Sequence, residues 1–130
     1  MYRATTHGIE VTVEPQFMPE RSSPEHNRYF WAYTIEITNR SRERVQLRAR
    51  YWRITDAQGR VEEVRGPGVV GEEPVLKPGE SFTYTSGCPL TTTSGIMTGT
   101  YRMEGPTGEP FDITVPAFSL DSPYDVKRVN

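Results

Sequence analysis

Hydrophobic and polar side chains alternate along much of the chain. Ile9, Val11 and Val13 are separated by Glu10, Thr12 and Glu14, the period-2 pattern of a half-buried strand, and Pro15 is expected to end it. Residues 16–28 hold Ser22, Ser23, Pro19 and Pro24 among charges and read as a long loop. Tyr29, Trp31, Tyr33, Ile35 and Ile37 then take every odd position opposite Ala32, Thr34, Glu36 and Thr38, which predicts a strand with one aromatic and β-branched face. After a turn at Asn39–Arg42, Val45, Leu47, Ala49 and Tyr51 alternate with Gln46, Arg48 and Arg50. Trp52 and Ile54 fall on the arginine side of that strand, so either its far end is covered on both faces or a bulge sits near Trp52–Arg53.

Asp56–Gly59 closes a hairpin into Arg60–Arg65. Lys77-Pro78-Gly79-Glu80 is a Pro-Gly turn of type II character leading to Phe82 and Tyr84. Gly95–Glu104 predicts a strand with Met97, Tyr101 and Met103 inward, and Phe111, Ile113 and Val115 the last one. From Gly59 onward no run free of Gly and Pro exceeds seven residues, too short for an ordinary helix of about 11–12 residues. Composition agrees: Val, Ile, Thr, Phe, Tyr and Trp number 46, against 9 for Ala and Leu together. The prediction is all-β: an immunoglobulin- or fibronectin III-like sandwich of two antiparallel sheets with about seven strands. A single domain is expected over 1–130, with residues 1–7 and 121–130 as flexible tails. Trp31, Tyr33, Ile35, Tyr51, Phe82, Tyr84 and Tyr101 should lie in or beside the core.

A net charge of −2 gives no reason to expect a nucleic-acid partner, and no stretch approaches the ~20 apolar residues of a membrane span. Eight arginines fall between Arg40 and Arg65, which marks an Arg-rich sheet face. Cys88 is the only cysteine; it suits a reducing compartment, so a cytoplasmic location is expected, and it reads as a structural thiol. His7 and His26, the two histidines, are too few and too distant in sequence to activate Cys88 or a serine of the Thr85–Gly95 loop. No enzyme is expected, and no cofactor. The Ile9–Val13 strand is the expected site of a homodimer contact, whereas Arg60–Arg65 reads as a charged, self-protecting edge.

Gly66-Pro67-Gly68-Val69-Val70-Gly71 matches G-x-G-x-x-G. A dinucleotide site needs a helix opening directly after that motif, and Glu72, Glu73, Pro74 and Pro78 oppose one. The segment therefore reads as a tight loop needing positive φ at Gly68 or Gly71. It also holds the candidate binding residues: Arg65, Gly66, Gly68, Val69, Gly71 and Glu72. A protein partner is the leading expectation. The alternative is a nucleotide polyphosphate or metal–nucleotide complex on the glycine amides, with weak divalent-metal binding by Glu62, Glu63, Glu72 and Glu73.

Four segments, Arg50-Tyr51-Trp52-Arg53-Ile54-Thr55-Asp56, Glu63–Pro74, Leu76–Gly87 and Gly95–Met103, with Arg28–Tyr33 upstream, agree in order and spacing with the ApaG family. The chain resembles that family over nearly its whole length. The resemblance implies a fibronectin III-like sandwich and a small bacterial cytoplasmic protein, encoded beside a ribosomal RNA dimethyladenosine transferase and a diadenosine tetraphosphatase. It further implies a genetic link to cobalt resistance and magnesium efflux. Related domains in an animal F-box protein and a polymerase-delta-interacting protein point to binding rather than catalysis.

Overall fold

A computed structural model describes residues 1–124. Its nine strands are β1 (Tyr2–Thr6), β2 (Ile9–Phe17), β3 (Tyr29–Asn39), β4 (Val45–Asp56), β5 (Val61–Pro67), β6 (Val75–Leu76), β7 (Ser81–Leu90), β8 (Ser94–Glu104) and β9 (Pro110–Asp121). One sheet runs β1-β2-β3-β7; the other runs β5-β4-β8-β9, with the short β6 also pairing β4. All pairings are antiparallel. The only helical pieces among the described residues are 3₁₀ turns at Pro19–Arg21 and Pro24–His26. The fold is the all-β, two-sheet sandwich that the alternation predicts.

The inward faces meet in one core containing Trp31, Tyr33, Ile35, Tyr84, Tyr101 and Phe118, all buried. Phe82 is half-buried and packs against it. Tyr51 does not belong there. Its ring lies on the outer face of the second sheet beneath the Arg65 guanidinium, 4.7 Å away. The cause is a bulge in β4 between Leu47 and Ala49, earlier than the expected Trp52–Arg53. The extra residue, Arg48, shifts the alternation, so Leu47, Arg50, Trp52 and Ile54 share the inward face.

Three other expectations are corrected. Tyr2–Thr6, expected as part of a tail, pairs residue for residue with β2. Pro15 does not stop β2, which continues to Phe17. Arg40 donates to the Gly8 carbonyl at 2.8 Å, so even-numbered residues of β2 bond to β3 and odd ones face β1. Pro15 thus faces the β1 side past the end of that pairing at Tyr2–Val13, where its missing N–H costs no ladder bond. Finally, Ile9–Val13 lies between β1 and β3 and offers no edge for self-association. Arg60–Arg65 does fall at an edge, in β5. The expected tail at 121–130 divides: Asp121 ends β9, and 125–130 lie outside the described residues.

Candidate functional site

The glycine segment folds as a hairpin turn and opens no helix. Val69 and Glu72 exchange backbone hydrogen bonds of 2.8 and 2.9 Å, and Val70 (φ 45°) and Gly71 (φ 80°) sit between them. Positive φ at both central residues is the signature of a type I′ turn. Gly68 (φ 57°) is required twice over, because a Cβ there would lie 2.3 Å from the Glu72 carbonyl oxygen. The Gly68, Val69 and Glu72 amides are already bonded to the Arg48, Glu72 and Val69 carbonyls. These donors are therefore spent within the fold rather than presented to a phosphate.

The turn caps a cleft of about 370 Å³ between the two sheets, open on the side where β5 and β7 end their sheets. The opposite side is shut: Thr114 donates to the Thr6 hydroxyl and Ser119 to the Tyr2 hydroxyl, tying β9 to β1. Arg50, turned inward by the β4 bulge, lines the cleft with Tyr33, Trp52, Tyr84 and Ser86. Its Nη1 donates to the Pro67 and Gly68 carbonyls at 2.8 and 3.1 Å. Gly66, directly across from Arg50 in the β4–β5 register, has no side chain because the guanidinium occupies that space: a Cβ would fall 2.9 Å from Arg50 Cζ.

Burial holds the tyrosine hydroxyls of the cleft neutral. Tyr33 is raised above its ordinary value by burial, opposed by a hydrogen bond with Ser86. Tyr84 and Tyr101, hydrogen-bonded to each other, are also raised by burial. Cys88 borders the cleft, and burial pushes its thiol up to about 11, assisted by the Glu62 charge. A thiol so shifted is protonated at neutral pH, as a structural residue would be. The histidines are engaged elsewhere, His7 against the Phe111 ring and His26 on the Ser23 hydroxyl. Among the described residues no three His, Cys, Asp or Glu side chains are grouped as metal ligands.

The six residues singled out from sequence separate into different roles. Gly66, Gly68 and Gly71 shape the turn and the Arg50 socket, while Val69 is 1% exposed and buried beneath it. The exposed tip is Val70, at 55%, with Glu72 beside it. Arg65 faces away from the cleft, paired with Glu63 at 3.3 Å on the outer face. Arg50 is absent from those six. A signal for it existed: the hairpin at Asp56–Gly59 sets Gly66 opposite Arg50, and Trp52, too large to leave in water, carries Arg50 inward by period 2.

Sandwich and capped cleft together define the chain as a compact all-β domain whose distinctive feature lies at one open sheet margin. A profile for the ApaG domain matches residues 19–105, and the chain belongs to the ApaG family. It is 62% identical to Protein ApaG of Brucella anthropi over 130 residues, covering 100% of both chains. It is 66% identical to Protein ApaG of Bradyrhizobium sp. (strain ORS 278) over 129 residues, covering 99% of this chain and 98% of that one. The crystal structure of the putative ApaA protein from Bordetella pertussis superposes with a TM-score of 0.87 at 48% identity, covering 90% of this chain and 95% of that one.

Proposed function

We propose that the domain is a non-catalytic interaction module that takes a partner protein at its open margin. One observation carries the reading: β7, ten residues long, ends its sheet and has no Lys, Arg, Asp or Glu. Edge strands are ordinarily blunted by charge, bulges or short length to prevent pairing. Of these devices β7 has only Pro89 near its end. Asn39 donates to the Glu80 carbonyl at 2.9 Å; counting by two along the unbroken β3–β7 register, Ser81, Thr83, Thr85 and Gly87 point their amides away from β3. An extended segment of a partner can add to this edge, with Val70 and Glu72 at the turn tip beside it. Any part in cobalt or magnesium homeostasis is then indirect, exerted through that partner, in the cytoplasm.

Two proline substitutions test this. Thr83→Pro and Thr85→Pro each delete one outward amide and leave the backbone bonds to β3 in place, losing only an exposed side-chain bond to Glu36 or to Thr34. A partner cross-linked through a photoreactive residue at Ser81 of the otherwise native protein should be lost in both variants while circular dichroism stays that of the folded domain. An undiminished cross-link would overturn the β7 assignment.

A further inference from the structure

We propose that the inter-sheet cleft is a binding site for a carboxylate carried on an apolar body, with Arg50 as the carboxylate anchor. This site is separate from the β7 edge and stands whether or not a strand adds there.

Arg50 is a cation facing the inside of a sandwich, a placement that normally demands a paired anion. Among the described residues no carboxylate lies within ion-pair distance of it, although other arginines are so paired. Only Nη1 is engaged, by two carbonyls. Every buried side-chain nitrogen or oxygen among the described residues that is closed off from solvent has a hydrogen-bond partner. The Nε and Nη2 donors, which have none, are therefore solvent-accessible, and Arg50 lines both this cleft and a neighbouring hollow beside Tyr51, Arg65 and Arg102. An unused pair of guanidinium donors along one edge matches the two oxygens of a carboxylate.

The rest of the cleft selects the ligand's body and charge. Beyond Arg50 the walls are mixed: Trp52, Val64, Val69 and Met97 supply apolar surface for a ligand's body, and Tyr33, Tyr84 and Ser86 supply hydroxyls on the facing sheet. Glu62 also lines the cleft. It lies four residues from Gly66 on the same face of β5, roughly 13 Å along the strand from the Arg50 socket. Its charge repels a polyanion extending down the cleft and tolerates a single carboxylate held at the far end. A volume of about 370 Å³ fits a small molecule or the last one or two residues of a peptide.

The test is titration of the isotope-labelled protein by NMR at low salt with hexanoate, hexanol, inorganic phosphate and ATP. Hexanoate should shift the Trp52 indole and Gly66 amide resonances saturably, and the other three should bind at least tenfold more weakly. Arg50→Gln should weaken hexanoate by about tenfold or more, the loss of a charge-assisted pair. Glu62→Lys, at an exposed position, should tighten it about two- to fivefold. Cleft resonances unmoved by hexanoate, equal binding of hexanol, or phosphate or ATP binding as tightly as hexanoate would each overturn the proposal. Because Arg50 also fastens the turn, misfolding of Arg50→Gln would remove only that readout; Glu62→Lys then decides, and unchanged affinity there overturns the proposal. N-acetyl-Leu-Leu as acid and as amide separates the two sources of a carboxylate. Acid binding tighter than hexanoate, with the amide silent, assigns the site to a chain terminus; the reverse order assigns it to a free acid.

Discussion

Two hairpin turns in this domain share a backbone conformation and differ in the residue that must adopt it. At the closed margin, His7 and Gly8 have φ of 50° and 78° and join β1 to β2; at the open margin, Val70 and Gly71 have φ of 45° and 80° and cap the cleft. Histidine is among the non-glycine residues that tolerate the left-handed region, whereas a β-branched valine there is an outlier. The closed margin is otherwise well satisfied, with β9 tied to β1 by side-chain bonds and Phe118 packed against Tyr2, Tyr33 and Trp52. The open margin collects an uncharged edge strand, an arginine without a carboxylate and a strained turn. The bonds that close the sandwich lie at one margin, and the exposed chemistry lies at the other.

The largest expected effect tests the closed margin. Phe118→Ala removes a fully buried ring from the centre of that aromatic cluster and should cost about 3–5 kcal/mol in urea-induced unfolding. A cost below that of the open-margin substitutions would break the comparison. Gly68→Ala comes next, at about 2–3 kcal/mol, because it combines a left-handed φ with a Cβ driven into the Glu72 carbonyl. Gly71→Ala shares the positive φ but meets nothing within 4 Å, so it should cost only about 1 kcal/mol. Equal costs at the two glycines would show that the close approach to Glu72 is not real.

The alternation made most of the scaffold legible from sequence, and the candidate site much less so. Tyr29–Ile37 forms β3 with the expected face inward, because five consecutive apolar positions leave no competing register. Two strands are harder to read. In β1 the half-buried positions are Tyr2, Ala4 and Thr6, too weakly apolar to stand out, and His7-Gly8 lacks the Asn or Asp that usually marks such a turn. In β4 the bulge at Arg48 breaks the period, which misplaces Tyr51 and hides Arg50 among solvent-facing arginines. The glycine motif is visible as a turn, but its exposed tip is Val70 rather than Val69. A cleft between sheets depends on which margin stays open, and that is decided by the long-range contact of β9 with β1 across the sheets, which no local pattern encodes.

An alkaline titration sharpens the comparison with an effect of about 2 kcal/mol. Below pH 9 the Cys88 thiol is protonated whether the chain is folded or not, so it contributes no pH dependence. As pH rises from 9 toward 11, the unfolded chain gives up that proton first, since burial holds the folded thiol near 11. Stability should therefore fall across that interval, and the raised Tyr84 and Tyr101 hydroxyls extend the fall in the same direction. Cys88→Ala should flatten the decline of Tm between pH 9 and 10.5 without abolishing it. Thiolate absorbance appearing near pH 9 in the folded protein would show that the cleft wall is wetter than its burial implies.

The smallest expected effect is a gain. Val70 is half-exposed and makes its contribution at the tip of the turn, so its side chain adds little core packing to offset its left-handed backbone, a conformation that costs about 1–3 kcal/mol. Asparagine relieves most of that cost, and Asn-Gly is the favoured pair for a type I′ turn. Val70→Asn should raise stability by about 1 kcal/mol, read as a higher urea midpoint with an unchanged m value. At the closed margin, His7→Asn should change stability by no more than about 0.5 kcal/mol, because histidine there already tolerates the conformation. If the gain appears while cross-linking at Ser81 weakens, the strained valine is part of the partner surface, and the domain keeps an unfavourable residue for binding. If neither substitution moves the midpoint, the two turns are energetically alike, and the strain assigned to the open margin is absent.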